Sequence, residues 1–199
     1  GVVLGFLPVF VTAVRMLRDR RSRMQELIYS RSASSFRVMG SRYAALICMH
    51  MLPVLLLSLF PAAECIRAGI QGADLDYLAW LKYDLGWLLP TVMAVVSVGM
   101  ICTELTETAL AVLVQTAWWF LSLVTGAAGM YGGSYGWNLM PRHNTELNYA
   151  GFAEGFRQLA CSRIFYAVLS LALLALTVLI YEKKRKGHLR RGGKVSGNH

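Results

Sequence analysis

Few residues in this chain are of types that do chemistry, and their spacing suits it poorly. Gly132-Gly133-Ser134-Tyr135-Gly136 satisfies the G-x-S-x-G pattern of a serine nucleophile, with His143 close behind. Such a serine needs a strand entering and a helix leaving an α/β sheet. Here an uncharged, membrane-length segment enters and a loop leaves, so a hydrolase built on Ser134 is a distant reading. Gly192-Gly193-Lys194-Val195 comes near a phosphate-binding loop, but valine stands where the Mg²⁺-binding hydroxyl belongs and no strand precedes it. Any ATP hydrolysis must therefore come from another chain. Cys48, Cys65, Cys102 and Cys161 are too far apart in sequence to make a metal pattern. No catalytic residue, cofactor or metal is expected. His50 is the remaining candidate, because ionisable residues in apolar spans are functional suspects by default. The plainer alternative for it is a neutral imidazole hydrogen-bonded to a neighbouring helix.

The elements that would position these residues follow from charge. Apolar residues make up 56% of the chain and charged residues 16%, against about 45–50% and 25% in soluble proteins. No Asp, Glu, Lys or Arg occurs in residues 43–63, 85–103, 108–141 or 164–181. A membrane crossing needs about 20 mostly apolar residues, so the chain reads as an all-α polytopic membrane protein. Spans are expected near 1–14, 43–61, 85–103, 108–127 and 163–181. The first run would cover only about 21 Å as a helix. It starts without methionine or the basic region of a signal peptide, and it reads as the end of a helix whose beginning is missing.

Of the 20 lysines and arginines, all but Arg67, Lys82, Arg142, Arg157 and Arg163 fall between Arg15 and Arg42 or between Lys183 and Lys194. Basic loops stay on the cytoplasmic side. Residues 15–42, the turn 104–107 and the tail 182–199 are therefore expected inside, and the loops 62–84 and 128–162 outside. That orientation places Cys65 and Cys161 on one side, where a disulfide is possible but not assignable. It also puts Trp80, Trp87 and Trp137 at the outer interface, where aromatic belts form. A net charge of +9 is then topogenic and faces anionic headgroups. No nucleic-acid-binding signature accompanies it.

Leu17, Met24, Leu27 and Ile28 make an apolar stripe with arginines opposite, the pattern of an amphipathic helix over 15–30 lying on the membrane surface. Residues 126–136 are glycine-rich and should end the fourth span. Tyr149 to Ala160 has apolar and aromatic residues at helical spacing and reads as a short interfacial helix. Met49, Met51, Trp118 and Trp119 are expected to pack.

Arg20-Arg21, then Glu26-Leu27-Ile28-Tyr29-Ser30-Arg31, then Gly40-Ser41-Arg42-Tyr43 leading into a span, resembles the permease of a bacterial type-2 ATP-binding-cassette (ABC) exporter. The C-terminal half agrees, through Pro141-Arg142-His143-Asn144, Arg163-Ile164-Phe165-Tyr166 and Leu176 to Gly187. The likeness rests on charges and spacing. It implies six spans in the whole permease, five of them here, in a plasma (inner) membrane. It also implies a second permease subunit, identical or not, and a separate ABC-type ATPase, with membrane lipids around them. The 15–30 helix would couple to that ATPase through Glu26, with Arg23, Leu27 and Tyr29 beside it, and Glu104 and Glu107 would form a smaller second contact. Glu26 could instead pair with Arg23 within its own helix. Spans 1–14 and 108–127 would line the route, and Ala109, Ala111, Ala117 and Gly126 permit close approach there. The rival reading is a membrane scaffold or anchor that transports nothing.

Overall fold

The computed structural model describes residues 2–21, 34–67, 78–128, 137–140 and 149–187, and every regular element among them is helical. In chain order these are α1 (Leu7–Arg21), α2 (Ser35–Arg67), α3 (Ala79–Thr106), α4 (Leu110–Ala128) and α5 (Tyr149–Arg185). Helices α2, α3 and α5 are long and apolar enough to cross a membrane. The apolar part of α4, Leu110–Thr125, is shorter, and α1 has only 15 residues. By length and hydropathy, then, three helices among the described residues meet the requirement where five charge-free runs raised the expectation.

Helix α2 begins well before the apolar run that anchors it. Ser34 Oγ accepts the Arg37 N–H at 3.2 Å, an N-cap that satisfies one orphan donor of the first turn. The helix then carries Arg37 and Arg42 into the span and passes through Pro53 and Pro61. Internal prolines cost a helix its backbone bond, and they are tolerated in apolar surroundings where neighbouring groups take up the freed carbonyls. Ser58 Oγ donates to the Leu55 carbonyl at 3.0 Å in this stretch. Helix α5 is also longer than expected. Its 37 residues join the aromatic segment from Tyr149 and the last span into one rod.

Helix α3 is the centre of the bundle. Within its most apolar window 56% of residues are buried, against 22% for α2 and for α5. Pro90, Thr91, Val92, Ala94 to Met100, Thr103 and Glu104 are all buried, so its whole circumference is covered, as expected of a helix apolar on every side. Helices α1, α2, α4 and α5 pack around it. Near its start Asp84–Leu88 is a π-helical turn.

Helix α1 crosses α3 closely at Gly99. Val9, Thr12, Ala13 and Met16 form the buried stripe of α1. Thr12 Oγ1 donates to the Pro8 carbonyl at 2.7 Å, which leaves its methyl for Gly99. A Cβ on Gly99 would lie 3.0 Å from Thr12 Cγ2 and 3.1 Å from Thr12 Cβ, so the absence of a side chain sets this approach. Helix α4 holds the segment ahead of α1, with Gln115 Nε2 donating to the Gly5 carbonyl at 2.7 Å and Trp119 Nε1 to the Val2 carbonyl at 2.9 Å.

The outer surface is apolar over long strips. Leu52, Leu56, Leu57 and Phe60 of α2 and Ile164, Val168, Leu171 and Leu179 of α5 are exposed. Contiguous surfaces of this kind are a liability in water and fit a hydrocarbon solvent.

Candidate functional site

The polar groups inside the bundle gather at two places along α3 and α5. The first lies where α3 ends. Glu107 closes that helix with a left-handed backbone, φ 58°, a conformation unfavourable for a residue with a Cβ. Its N–H returns to the Thr103 carbonyl at 3.0 Å, and α4 starts three residues later. Glu107 is held there by Lys184 of α5, whose Nζ is 2.8 Å from its Oε1. The same ammonium donates to the Glu104 carbonyl oxygen and lies 3.8 Å from Glu104 Oε1. Side-chain exposure is 1% for Glu104, 8% for Lys184 and 22% for Glu107. One buried cation thus joins two carboxylates across the α3–α4 turn.

The second place lies about twenty residues up α5. Arg163 is buried and has no carboxylate partner among the described residues. Its Nη1 donates to Thr91 Oγ1 at 3.1 Å and to the Leu139 carbonyl at 2.9 Å. Its Nη2 donates to the Asn138 carbonyl and, at 3.1 Å, to Ser162 Oγ. The guanidinium carbon stands 4.9 Å from the centre of the Tyr166 ring, a cation–π distance. Tyr166 Oη donates to the Trp137 carbonyl at 2.9 Å, and Thr91 Oγ1 donates to the Leu139 carbonyl at 2.8 Å. Residues 137–140 are therefore stapled between α3 and α5 by their carbonyls. Between the two places Ser97 Oγ donates to the Ser170 carbonyl at 3.0 Å, a third polar tie joining the same helices.

Of the residues singled out by sequence, Arg23, Glu26, Leu27, Tyr29, Ser134 and His143 lie outside the described residues. Helix α1 runs without a break from the first apolar run as far as Arg21, so the basic segment starts as a continuation of that helix. Glu104 and Glu107 are brought together, with Glu104 turned wholly inward. A partner at this turn would meet Leu105, Thr106 and the part-exposed Glu107. His50 is buried, and its Nδ1 lies 2.7 Å from the Leu46 carbonyl of its own helix, so the expected neighbour is a turn of α2 itself. No group of three or more metal-ligating side chains occurs among the described residues. Cys161 and Cys48 are exposed thiols.

In the sequence Arg163 and Lys184 read as topogenic charges and as parts of the permease-like C-terminal pattern, not as buried cations. A signal for each was present. Arg163 abuts the charge-free run 164–181, and the turn 104–107 holds two glutamates with no basic residue beside them, so their cation had to come from elsewhere in the chain. Comparison with known proteins finds no family model, curated protein or solved structure that matches this chain.

Proposed function

We propose that the chain is a membrane-spanning permease subunit of an ATP-driven ABC exporter, with hydrolysis on a separate ATPase and the basic ends of its helices in the cytoplasm. The observation that carries this reading is the 20–43 segment, with its paired arginines, its Glu26-Leu27-Ile28-Tyr29-Ser30 core and its glycine-serine entry into α2. The packing supplies a mechanical rationale. A push delivered to residues 15–30 enters the bundle through α1, whose Thr12 bears directly on Gly99 of α3. Helix α3 is tied to α5 through Lys184 and Arg163, so movement passes to both together as a rigid unit. A carboxylate at the membrane surface, such as Glu26, would accept charge-assisted hydrogen bonds from an Arg or Lys of the ATPase.

The test is affinity purification of the full-length protein in mild detergent from cells holding its native partners, with ATP hydrolysis assayed in the eluate. An ABC-type ATPase should co-purify, and Glu26→Ala should release it or uncouple hydrolysis while leaving membrane insertion unchanged. A preparation free of ATPase would replace this reading with that of a scaffold or anchor. Normal coupling in the variant would reject Glu26 as the contact.

A further inference from the structure

Helix α1 buries one face against α3, and its opposite face borders a groove of about 550 Å³ shared with α2. The groove is lined by Phe10, Val11, Val14, Arg15 and Arg18 of α1 and by Met49 of α2. Its chemistry is graded along the helix axis. The part toward the middle of the bundle is apolar, with Phe10, Val14 and Met49 all exposed. The part toward the basic end carries Arg15 and Arg18, also exposed. These two stand at three-residue spacing, which puts their Cβ atoms about 5–6 Å apart on one helix face, close enough for both guanidinium groups to reach a single phosphate. None of the groove residues of α1 belongs to the stripe formed by Val9, Thr12, Ala13 and Met16, and of them only Val11 packs against the main core cluster.

We infer that this groove is a binding site for one anionic glycerophospholipid, with its phosphate between Arg15 and Arg18 and an acyl chain along Phe10, Val14 and Met49. Charge complementarity selects the occupant. A protein helix seated here would have to match two cations and an apolar wall within a few turns, whereas a lipid carries that gradient in every molecule. A zwitterionic lipid offers the same chain but sets its own cation beside the arginines. The inference requires that the chain lie in a bilayer and holds whether or not it transports anything.

Native mass spectrometry of the full-length protein, titrated with phosphatidylglycerol or with phosphatidylcholine of the same chains, tests it. Phosphatidylglycerol should bind roughly 25-fold more tightly, about fivefold for each arginine. Arg15→Gln with Arg18→Gln should weaken it by roughly fivefold for each arginine removed and bring it to the level of phosphatidylcholine. Val14→Trp, which fills the groove and keeps both charges, should weaken both lipids. Equal binding of the two lipids by the unmodified protein would overturn the site. So would a phosphatidylglycerol preference that survives the double substitution, since it would then belong to another basic segment such as the tail. Loss of the co-purifying ATPase has no bearing on either outcome, so this site and the exporter reading fail separately.

Discussion

Arg163 and Lys184 are buried cations on the same helix, and they are satisfied in opposite ways. Arg163 rests on carbonyls, hydroxyls and an aromatic face. Lys184 rests on two carboxylates and one carbonyl. A guanidinium spreads its charge over a planar fork and is weakly hydrated, so neutral dipoles can hold it. A compact ammonium is strongly hydrated and needs counter-charge once buried. The difference separates two jobs. The Arg163 cluster fixes a short segment in place and, among the described residues, holds no acidic group. The Lys184 cluster closes a turn with a left-handed residue through ion pairs.

The comparison is broken most severely at Lys184. Lys184→Met should cost about 3–5 kcal/mol of stability, because it removes the cation set against the buried Glu104 and the part-exposed Glu107. Thermal unfolding in detergent would read this loss, and adding Glu104→Gln should restore part of it. A variant as stable as the parent would mean that the carboxylates are solvated and the ion pair is incidental. Arg163→Met should cost less, about 2–3 kcal/mol, since it orphans carbonyls and not charges. The same measurement on Arg163→Lys should recover only a fraction, because one ammonium cannot fork to Asn138, Leu139 and Thr91 together. Full recovery by lysine would erase the distinction between the two cations. His50→Leu marks the lower limit, at under about 1 kcal/mol, since its hydrogen bond stays within one helix turn and leaves no group orphaned elsewhere. A loss as large as that at Arg163 would give His50 a partner on another helix and reopen it as an intramembrane polar site.

How much could be read beforehand differs from element to element. The apolar runs located α2, α3 and α5, because a membrane-length segment without charge has few alternatives to a helix. Their ends were misplaced where hydropathy was the guide. Helix α2 starts at Ser35 because Ser34 caps it, and α5 absorbs the interfacial segment because no proline lies between Tyr149 and Arg163. Glu104 and Glu107 were marked as a pair on a short turn, but not as a pair facing inward.

The sequence by itself determined the helical class, the helix order and the alternation of basic and apolar segments, since these depend on local composition and on the solvent each segment prefers. Only the tertiary structure decided that α3 is the central helix and that Gly99 admits Thr12. It alone decided that Lys184 belongs to the glutamates and Arg163 to the carbonyls of 137–140. The physical reason is range. Hydropathy and helix propensity act within a few turns, whereas the carbonyl and carboxylate partners of the two cations lie 24 to 80 positions from them and meet them only when the helices pack.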